Sequence, residues 1–336
     1  MKAIGYKQAL PIDAPNALIE VNLPEPVATG RDLLVEVRAI SVNPVDVKIR
    51  GAVNPPDGEV KVIGWDAAGV VKAVGEQVSL FKPGDHVYYA GSLIRPGANS
   101  ELHLVDERIV GRMPSSLNFA QAAALPLTTI TAWELLFDRL GIPRNGGQGE
   151  ALLVIGAAGG VGSILIQLAR QLTGLTVIGT ASRAQTREWV EKLGAHQVID
   201  HSKPLHEELK AIGFNHVRYI ASLTHTDQHY AHIVESLEPQ GRLAVIDDPQ
   251  TLDAMPLKRK SASLHWEFMF ARPMFDTPDM QKQHELLNET GRLIDAGIIK
   301  TTLTETYGAI NAANLRRAHA MIESGRSIGK IVLEGF

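Results

Sequence analysis

The strongest constraint on the fold is a short glycine-rich run, Gly156–Gly162. It lies between an apolar run over 151–155, typical of a strand, and a run over 160–172 that is typical of a helix. In such a loop the glycines let a pyrophosphate approach the backbone, and the N-terminus of the helix attracts its charge. The sequence therefore predicts a dinucleotide site; the alternative is a tight turn that binds nothing. The predicted contacts are Gly156, Ala158, Gly159, Gly160, Val161 and Gly162.

The part of the chain that contains this loop alternates strand-like and helix-like runs. Such alternation predicts parallel βαβ units with helices on both faces of the sheet, a doubly wound α/β domain. Strands are expected over 151–155, 176–180, 197–199, 217–221 and 242–246, and helices over 160–172, 184–193, 229–237 and 281–296.

The first third of the chain has a different texture. Short β-like runs at 33–40, 67–75 and 85–90 are separated by glycine and proline, which predicts a mostly β unit. A helix is expected after it, over 129–140, where apolar residues recur at helical spacing.

The end of the second predicted strand indicates which dinucleotide binds. An NAD site usually carries an acidic residue there, about 20 residues beyond the glycine loop, on the ribose 2′-hydroxyl. The chain instead has Ser182 and Arg183, with Arg187 one helical turn further on. A hydroxyl and a planar guanidinium suit a 2′-phosphate, so the sequence predicts NADP(H). The alternative is that Arg183 is a solvated charge at the start of a helix.

Composition excludes several classes of function. The net charge is −4, which gives no basic surface for nucleic acid or for an anionic membrane. There are no cysteines, so disulfides, thiolate metal sites and thiol nucleophiles are excluded. No apolar run approaches the roughly 18 residues of a membrane span, and the N-terminus lacks the pattern of a signal peptide. A cytoplasmic enzyme is expected.

Together with the glycine loop, five further motifs carry a family resemblance. They are Ser41–Asp46, Gly64–Gly69, Lys82–Asp85, Leu125–Trp133 and Gly329–Leu333. On these the chain resembles the medium-chain dehydrogenase/reductase superfamily, in its quinone oxidoreductase-like branch that includes zinc-type alcohol dehydrogenase-like proteins. The resemblance implies a GroES-like, β-rich catalytic domain over 1–124, completed by 297–336, and a Rossmann NADP-binding domain over 125–296. It also implies cofactor contacts at Thr128, Thr131, His201 and Lys330.

The zinc of the family name is not expected here. Zinc alcohol dehydrogenases hold the metal with Cys, His and Cys, and the corresponding places in this chain carry Asn43, Trp65 and Leu127. An indole only donates and an aliphatic chain cannot ligate, so no metal is predicted. Histidines also cluster at His201 and His206 and at His225, His229 and His232. No His-Glu-x-x-His motif accompanies them, so we expect surface or cofactor-rim residues.

Without a Lewis acid, the resemblance favours a hydride transfer whose developing charge is spread by conjugation. The sequence predicts NADPH-dependent reduction of a quinone or an α,β-unsaturated ketone. The predicted catalytic residues are Asn43, Asp46, Trp65 and Tyr89, each with a structural alternative as a turn, capping or packing residue. The competing hypotheses are a zinc-dependent alcohol dehydrogenase with other ligands and a non-catalytic NADPH-binding protein.

A homodimer is also predicted. Residues 263–270 alternate, with Trp266, Phe268 and Phe270 on one face, and they occupy the place of the family's last Rossmann strand. A bare apolar edge strand invites pairing with a second copy across a two-fold axis. The alternative is a monomer in which the loop over 272–279 covers the edge.

Overall fold

The computed structural model describes all residues from 1 to 336, and the chain divides into two compact units. The first comprises residues 1–130 and 270–336, and the second comprises residues 131–269. These limits differ from the expected boundaries at 124 and 296. The difference arises because the helix Lys282–Asp295 is bound to the first unit, where the Tyr88 hydroxyl donates to the carbonyl oxygen of Leu287 at 2.6 Å.

The first unit is mostly β, as its sequence texture predicts. Its strands are β1 (Lys2–Tyr6), β2 (Ile19–Asn22), β3 (Asp32–Ser41), β4 (Lys61–Val62), β5 (Ala67–Val74), β6 (His86–Tyr89), β7 (Leu102–Asp106), β8 (Val110–Arg112), β15 (Leu303–Thr306) and β16 (Lys330–Glu334). Its helices are α1 (Pro44–Ala52), α2 (Phe119–Ala123), α9 (Ala271–Phe275), α10 (Lys282–Asp295) and α11 (Ala312–Glu323), with a 3₁₀ turn at Glu107–Ile109.

A seven-stranded sheet organises this unit, in the order β15-β16-β3-β5-β6-β8 with β7 also paired to β3. The central strand β3 shows why it forms: Leu33, Val35 and Val37 are buried at alternate positions, the period of a strand with one face on the core. β16 pairs antiparallel with the end of β3, which brings the last residues of the chain beside Ser41.

The second unit contains the predicted doubly wound sheet. Its strands are β9 (Ala151–Ile155), β10 (Thr176–Thr180), β11 (Gln197–Ile199), β12 (Val217–Ser222), β13 (Leu237–Val245) and β14 (Ser263–Trp266). Its helices are α4 (Gly160–Leu172), α5 (Ala184–Lys192), α6 (Leu205–Ala211), α7 (Thr226–Ser236) and α8 (Met255–Lys258), and the boundary with the first unit falls within α3 (Pro126–Trp133).

All six strands run parallel in the order β11-β10-β9-β12-β13-β14. This is the Rossmann order, with its reversal beside β9. Every residue of β9 is buried, as expected for a strand covered by helices on both faces. The fold-class prediction is confirmed.

Several predicted elements have different limits in the structure: β13 begins at Leu237 rather than at 242, and α7 begins at Thr226 rather than at 229. The helix expected over 129–140 is α3 followed by a π-helical turn, Glu134–Arg139. The strand expected over 263–270 ends at Trp266, because its partner β13 ends at Val245 and the last bond is Glu267 N–H to the Val245 carbonyl, at 3.0 Å. Phe270 is consequently buried rather than aligned with Trp266, and the expected loop over 272–279 begins within α9. No helix is long and apolar enough to span a membrane.

Candidate cofactor and substrate sites

The glycine loop has the backbone geometry that its sequence predicts. Gly156 adopts a φ of 82°, which side chains rarely tolerate. A Cβ on Gly162 would lie 2.5 Å from the carbonyl oxygens of both Gly156 and Ala157, so only glycine fits. Gly159 caps α4 without a side-chain hydrogen bond, which leaves the N–H groups of the first helical turn to an external acceptor.

The end of β10 presents the residues predicted to select the cofactor. Thr180 is buried and accepts the Gly156 N–H at 3.3 Å, while Ser182 and Arg183 are exposed just beyond it. The Arg187 guanidinium donates to the Val198 carbonyl at 2.6 Å and so links α5 to β11. Of the three predicted residues, Ser182 and Arg183 present exposed side chains at this strand end.

His201 follows β11 and lies close to this group. Burial is the main cause that lowers its pKa; Asp200 opposes the shift, while the positive charges of His225 and Arg183 add to it. Its Nδ1 is buried and has no hydrogen-bond partner. The structure thus brings together Arg183, His201 and His225, which follow β10, β11 and β12; β10 and β11 are neighbours in the sheet, and β9 lies between β10 and β12. The sequence predicted His225 only as a surface or cofactor-rim histidine and not as a cofactor contact, although its position shortly after a predicted strand could have signalled one.

A buried polar network forms the second group, in the first unit. Asn43 precedes α1, and its backbone N–H donates to the Asp46 carboxylate at 2.6 Å. The Asn43 amide donates to Asp66 Oδ2 at 2.9 Å, and less closely to the carbonyls of Trp65 and Ser41, at 3.3 and 3.4 Å. The end of β3, the start of α1 and the segment that precedes β5 therefore meet around Asn43.

Lys330 completes this network. Its ammonium donates to Asp66 Oδ2 at 2.9 Å, to the Val42 carbonyl at 3.1 Å and to Asn43 Oδ1, so all three of its hydrogens are used. The resemblance implied a cofactor contact at Lys330, whereas the structure gives its ammonium these three protein acceptors. Asp66, which was not selected as a site residue, also accepts the Leu127 N–H at 2.8 Å. Its place directly after Trp65, in one of the family motifs, was the available signal.

Burial dominates the electrostatics of the two carboxyl groups. It raises the pKa of Asp46 to about 7, against the lowering effects of the Asn43 hydrogen bond and of Lys330. Burial likewise raises the pKa of Asp66, opposed mainly by the Lys330 charge. Burial disfavours the ionised form of both carboxyl groups. The positive charge of Lys330 offsets much of this penalty for Asp66.

The two predicted aromatic site residues are buried. The Trp65 indole donates to the Ser92 carbonyl at 3.1 Å and packs edge-on against Phe270. The Tyr89 hydroxyl lies 3.1 Å from His103 Nδ1, and His103 Nε2 lies 2.9 Å from the Pro96 carbonyl. Since a carbonyl only accepts, Nε2 carries the ring proton and Nδ1 accepts from Tyr89. The single hydroxyl proton of Tyr89 is therefore committed to His103.

The two predicted threonine contacts lie on α3. Both side chains are buried, and the Thr128 hydroxyl donates to the Leu125 carbonyl at 3.1 Å. Thr131 is 5% exposed. The Thr128 hydroxyl thus bonds the residue that precedes α3, at the start of its own helix.

The residues at the zinc-ligand places do not fit a catalytic zinc. The Asn43 amide oxygen already accepts from Lys330. The Trp65 indole can only donate, and Leu127 has an aliphatic chain that cannot bind a metal. The Asp66 carboxylate beside them already holds the Lys330 ammonium. None of the three side chains at the zinc-ligand places therefore offers a thiolate or an imidazole to a metal ion.

Sequence comparison places the chain among known proteins. Residues 29–115 match the alcohol dehydrogenase GroES-like domain, and residues 193–333 match the zinc-binding dehydrogenase domain. A zinc-type alcohol dehydrogenase-like protein of Staphylococcus epidermidis is 41% identical over 338 residues, covering 99% of both chains. A 2-methylene-furan-3-one reductase of Solanum lycopersicum is 37% identical over 218 residues, covering 62% of this chain and 54% of that protein.

Comparison with solved structures supports the same family assignment. A protein from Rhizobium etli CFN 42, described as a zinc-dependent alcohol dehydrogenase, superposes with a TM-score of 0.97 at 58% identity, covering 100% of this chain and 98% of that one. The quinone oxidoreductase of Escherichia coli, solved with NADPH, superposes with a TM-score of 0.83 at 28% identity, covering 99% and 100%. The chain belongs to the medium-chain dehydrogenase/reductase superfamily of oxidoreductases, among the zinc-type alcohol dehydrogenase-like proteins.

Proposed function

We propose that this oxidoreductase uses NADPH to reduce quinones or α,β-unsaturated ketones by hydride transfer without a metal. The observation that carries the choice of cofactor is the end of β10, where Ser182 and Arg183 are exposed and no acidic side chain takes the ribose position. His201 adds a buried, unpartnered ring nitrogen and lies close enough to interact with Arg183 and His225. These three side chains support the proposal of a 2′-phosphate site at the end of β10.

Several groups of the chain fit the cofactor. The first turn of α4 would hold the pyrophosphate with backbone N–H groups, and the Gly162 contact keeps that turn close to the loop. When bound, NADPH supplies the hydride. We propose that Arg183, His201 and His225 bind its 2′-phosphate, and that Ser182 donates to the same group.

The buried network is the proposed substrate side. Of the two Asn43 amide hydrogens, one is held by Asp66 at 2.9 Å and the other only by carbonyls at 3.3 and 3.4 Å. That second hydrogen is the weakly held donor that a substrate oxygen could recruit as negative charge develops. Asp46 and Lys330 act through Asn43. Asp46 accepts the Asn43 backbone N–H, and Lys330 donates to the Asn43 side-chain oxygen. They are positioning residues in this scheme.

The choice of quinone or enone comes from the relatives rather than from the site. The tomato relative is named for reduction of a 2-methylene-furan-3-one, a conjugated enone, and the Escherichia coli neighbour for reduction of quinones. In both substrate classes the hydride goes to an electrophilic carbon and conjugation spreads the charge. A site with hydrogen-bond donors and no fitted metal suits such chemistry.

The direct test measures NADPH and NADH affinities and turnover with a panel of quinones and enones. We expect NADPH to bind at least about tenfold more tightly, worth roughly 1.4 kcal/mol, and Arg183→Ala to remove much of that preference. Arg170→Ala is the matched control, since Arg170 contacts His196 before β11 begins, at the opposite end of the sheet from Arg183. Equal affinities in the unmutated protein would refute the cofactor assignment. Tight NADPH binding with no turnover of any substrate would make this a binding protein.

We also propose a homodimer built on β14. This strand is the sheet edge, and beside it Trp266 is 52% exposed and Phe268 49% exposed. Two such edges paired across a two-fold axis would bury both aromatic side chains and satisfy the open backbone groups. Light scattering should give the mass of a dimer, and Trp266→Asp should convert it to a monomer. A monomeric mass for the unmutated protein would rule the arrangement out.

A further inference from the structure

A cluster of metal-binding side chains lies on the helix pair α6 and α7, apart from the network around Asn43. His206 lies in the first turn of α6, while His232 and Glu235 lie one turn apart near the end of α7. Their ligand-type atoms all lie within 4.8 Å of one another. The sequence showed these histidines as two separate groups, and the structure joins one member of each with a carboxylate.

The contacts inside the cluster are those of ligands rather than of a hydrogen-bonded pair. His206 Nδ1 lies 3.2 Å from Glu235 Oε2, yet that buried nitrogen has no hydrogen-bond partner. Ligand atoms on one tetrahedral zinc ion, with bonds of about 2.0–2.2 Å, lie about 3.3 Å apart. The rings of His206 and His232 are stacked with centroids 5.5 Å apart, so the two imidazoles lie side by side.

The electrostatic setting favours a cation on balance. Glu235 lies in the last turn of α7 and His232 just before it, near the helix end where the dipole is negative. Glu207 adds a second carboxylate, 3.9 Å from His206 Nε2. The positive charge of Lys260 would repel a bound cation. Its ammonium, however, donates to the main-chain oxygens of Glu235 and Leu237. The Glu235 side chain is 55% exposed and can therefore rotate to close the remaining gap.

We propose that His206, His232 and Glu235 bind one zinc-class metal ion that joins α6 to α7. Two imidazole nitrogens and a carboxylate oxygen are a ligand set that zinc accepts, and water would fill the open position. This site is distinct from the place of the family's catalytic zinc, where Asn43, Trp65 and Leu127 do not fit. Zinc in the purified protein would therefore be structural.

The test uses the full chain, treated with a chelator and titrated with zinc chloride by calorimetry. We expect one zinc per chain, and an affinity at least tenfold weaker in His232→Ala and in Glu235→Gln. His216→Ala is the matched control, because His216 is an exposed histidine of the same unit outside the cluster. Glu235→Gln keeps the shape of a mostly exposed side chain, so its effect cannot be attributed to misfolding.

Two further measurements make the outcome decisive. Cobalt(II) in place of zinc should show the visible bands of a tetrahedral site, and His206→Ala should abolish them. Zinc should raise the melting temperature of the unmutated protein but not of His232→Ala. Absence of binding would overturn the proposal. So would binding that survives both substitutions, or that requires the neighbouring His201–His229 pair instead.

Discussion

Removal of the Lys330 ammonium should be among the most damaging single changes to the first unit. Lys330→Met removes three hydrogen bonds and leaves Asp66 buried with only two donors, the Asn43 amide and the Leu127 N–H. Breaking a buried ion pair by deleting one partner costs about 3–5 kcal/mol. Both side chains are at most 3% exposed, so water cannot replace the lost bonds.

The double variant Lys330→Met with Asp66→Asn should be less damaging than the sum of the two single changes. Neutralising both partners removes the uncompensated charge, so we expect a coupling energy of at least about 1 kcal/mol. The control is Lys7→Met, an exposed lysine that should change stability by less than about 0.5 kcal/mol.

Hydrogen exchange read by mass spectrometry suits this measurement, because a protein of two units need not unfold in one step. Peptides that cover β16 and α1 should show the lowered opening free energy, and those that cover β9 should not. A cost below about 1 kcal/mol for Lys330→Met, or strictly additive single changes, would show that the pair does not hold this site together.

Three further predictions follow from other parts of the structure. Burial raises the pKa of Asp46 to about 7, so the folded state holds a proton that the unfolded state releases. Stability should therefore fall as pH rises from about 4 to 7, by up to roughly 1.4 kcal/mol per unit, and urea unfolding of Asp46→Asn should show a flatter profile. Gly162→Ala should lose about 1–3 kcal/mol of stability by thermal melting, whereas Gly159→Ala, whose Cβ would meet its nearest atom at 3.5 Å, should lose little. Chelators should leave NADPH-dependent turnover unchanged in His232→Ala, which lacks the proposed α6–α7 zinc site; a loss restored by zinc in that variant would contradict the metal-free mechanism.

The second unit was predictable because its signals are local. A strand, a glycine loop and a helix lie within one short stretch, and β-α alternation fixes the parallel arrangement without knowledge of distant contacts. The limits of β14 were not predictable from its own residues. Its alternating pattern continues to Phe270, but the ladder stops where the partner strand β13 ends.

Only part of the polar network around Asn43 could be predicted from the sequence. Asn43 and Asp46 are three residues apart and form one motif, so their association is local. Lys330 and Asp66 are 264 residues apart, and they meet only because β16 pairs with β3. The proximity of His206 to His232 was also not predictable, because the sequence does not state how α6 and α7 are oriented against each other.

The position of the Lys330 ammonium has a consequence for protein engineering. Restoring the three ligand residues by Asn43→Cys, Trp65→His and Leu127→Cys would place a divalent ion near a carboxylate that already binds a monovalent one. The two cations would repel each other in a buried setting, where such repulsion is large. Conversion of this chain to a zinc enzyme would therefore require replacement of Lys330 in the same step. Since Lys330→Met alone is expected to destabilise the first unit, the conversion has no neutral single-residue route through that position.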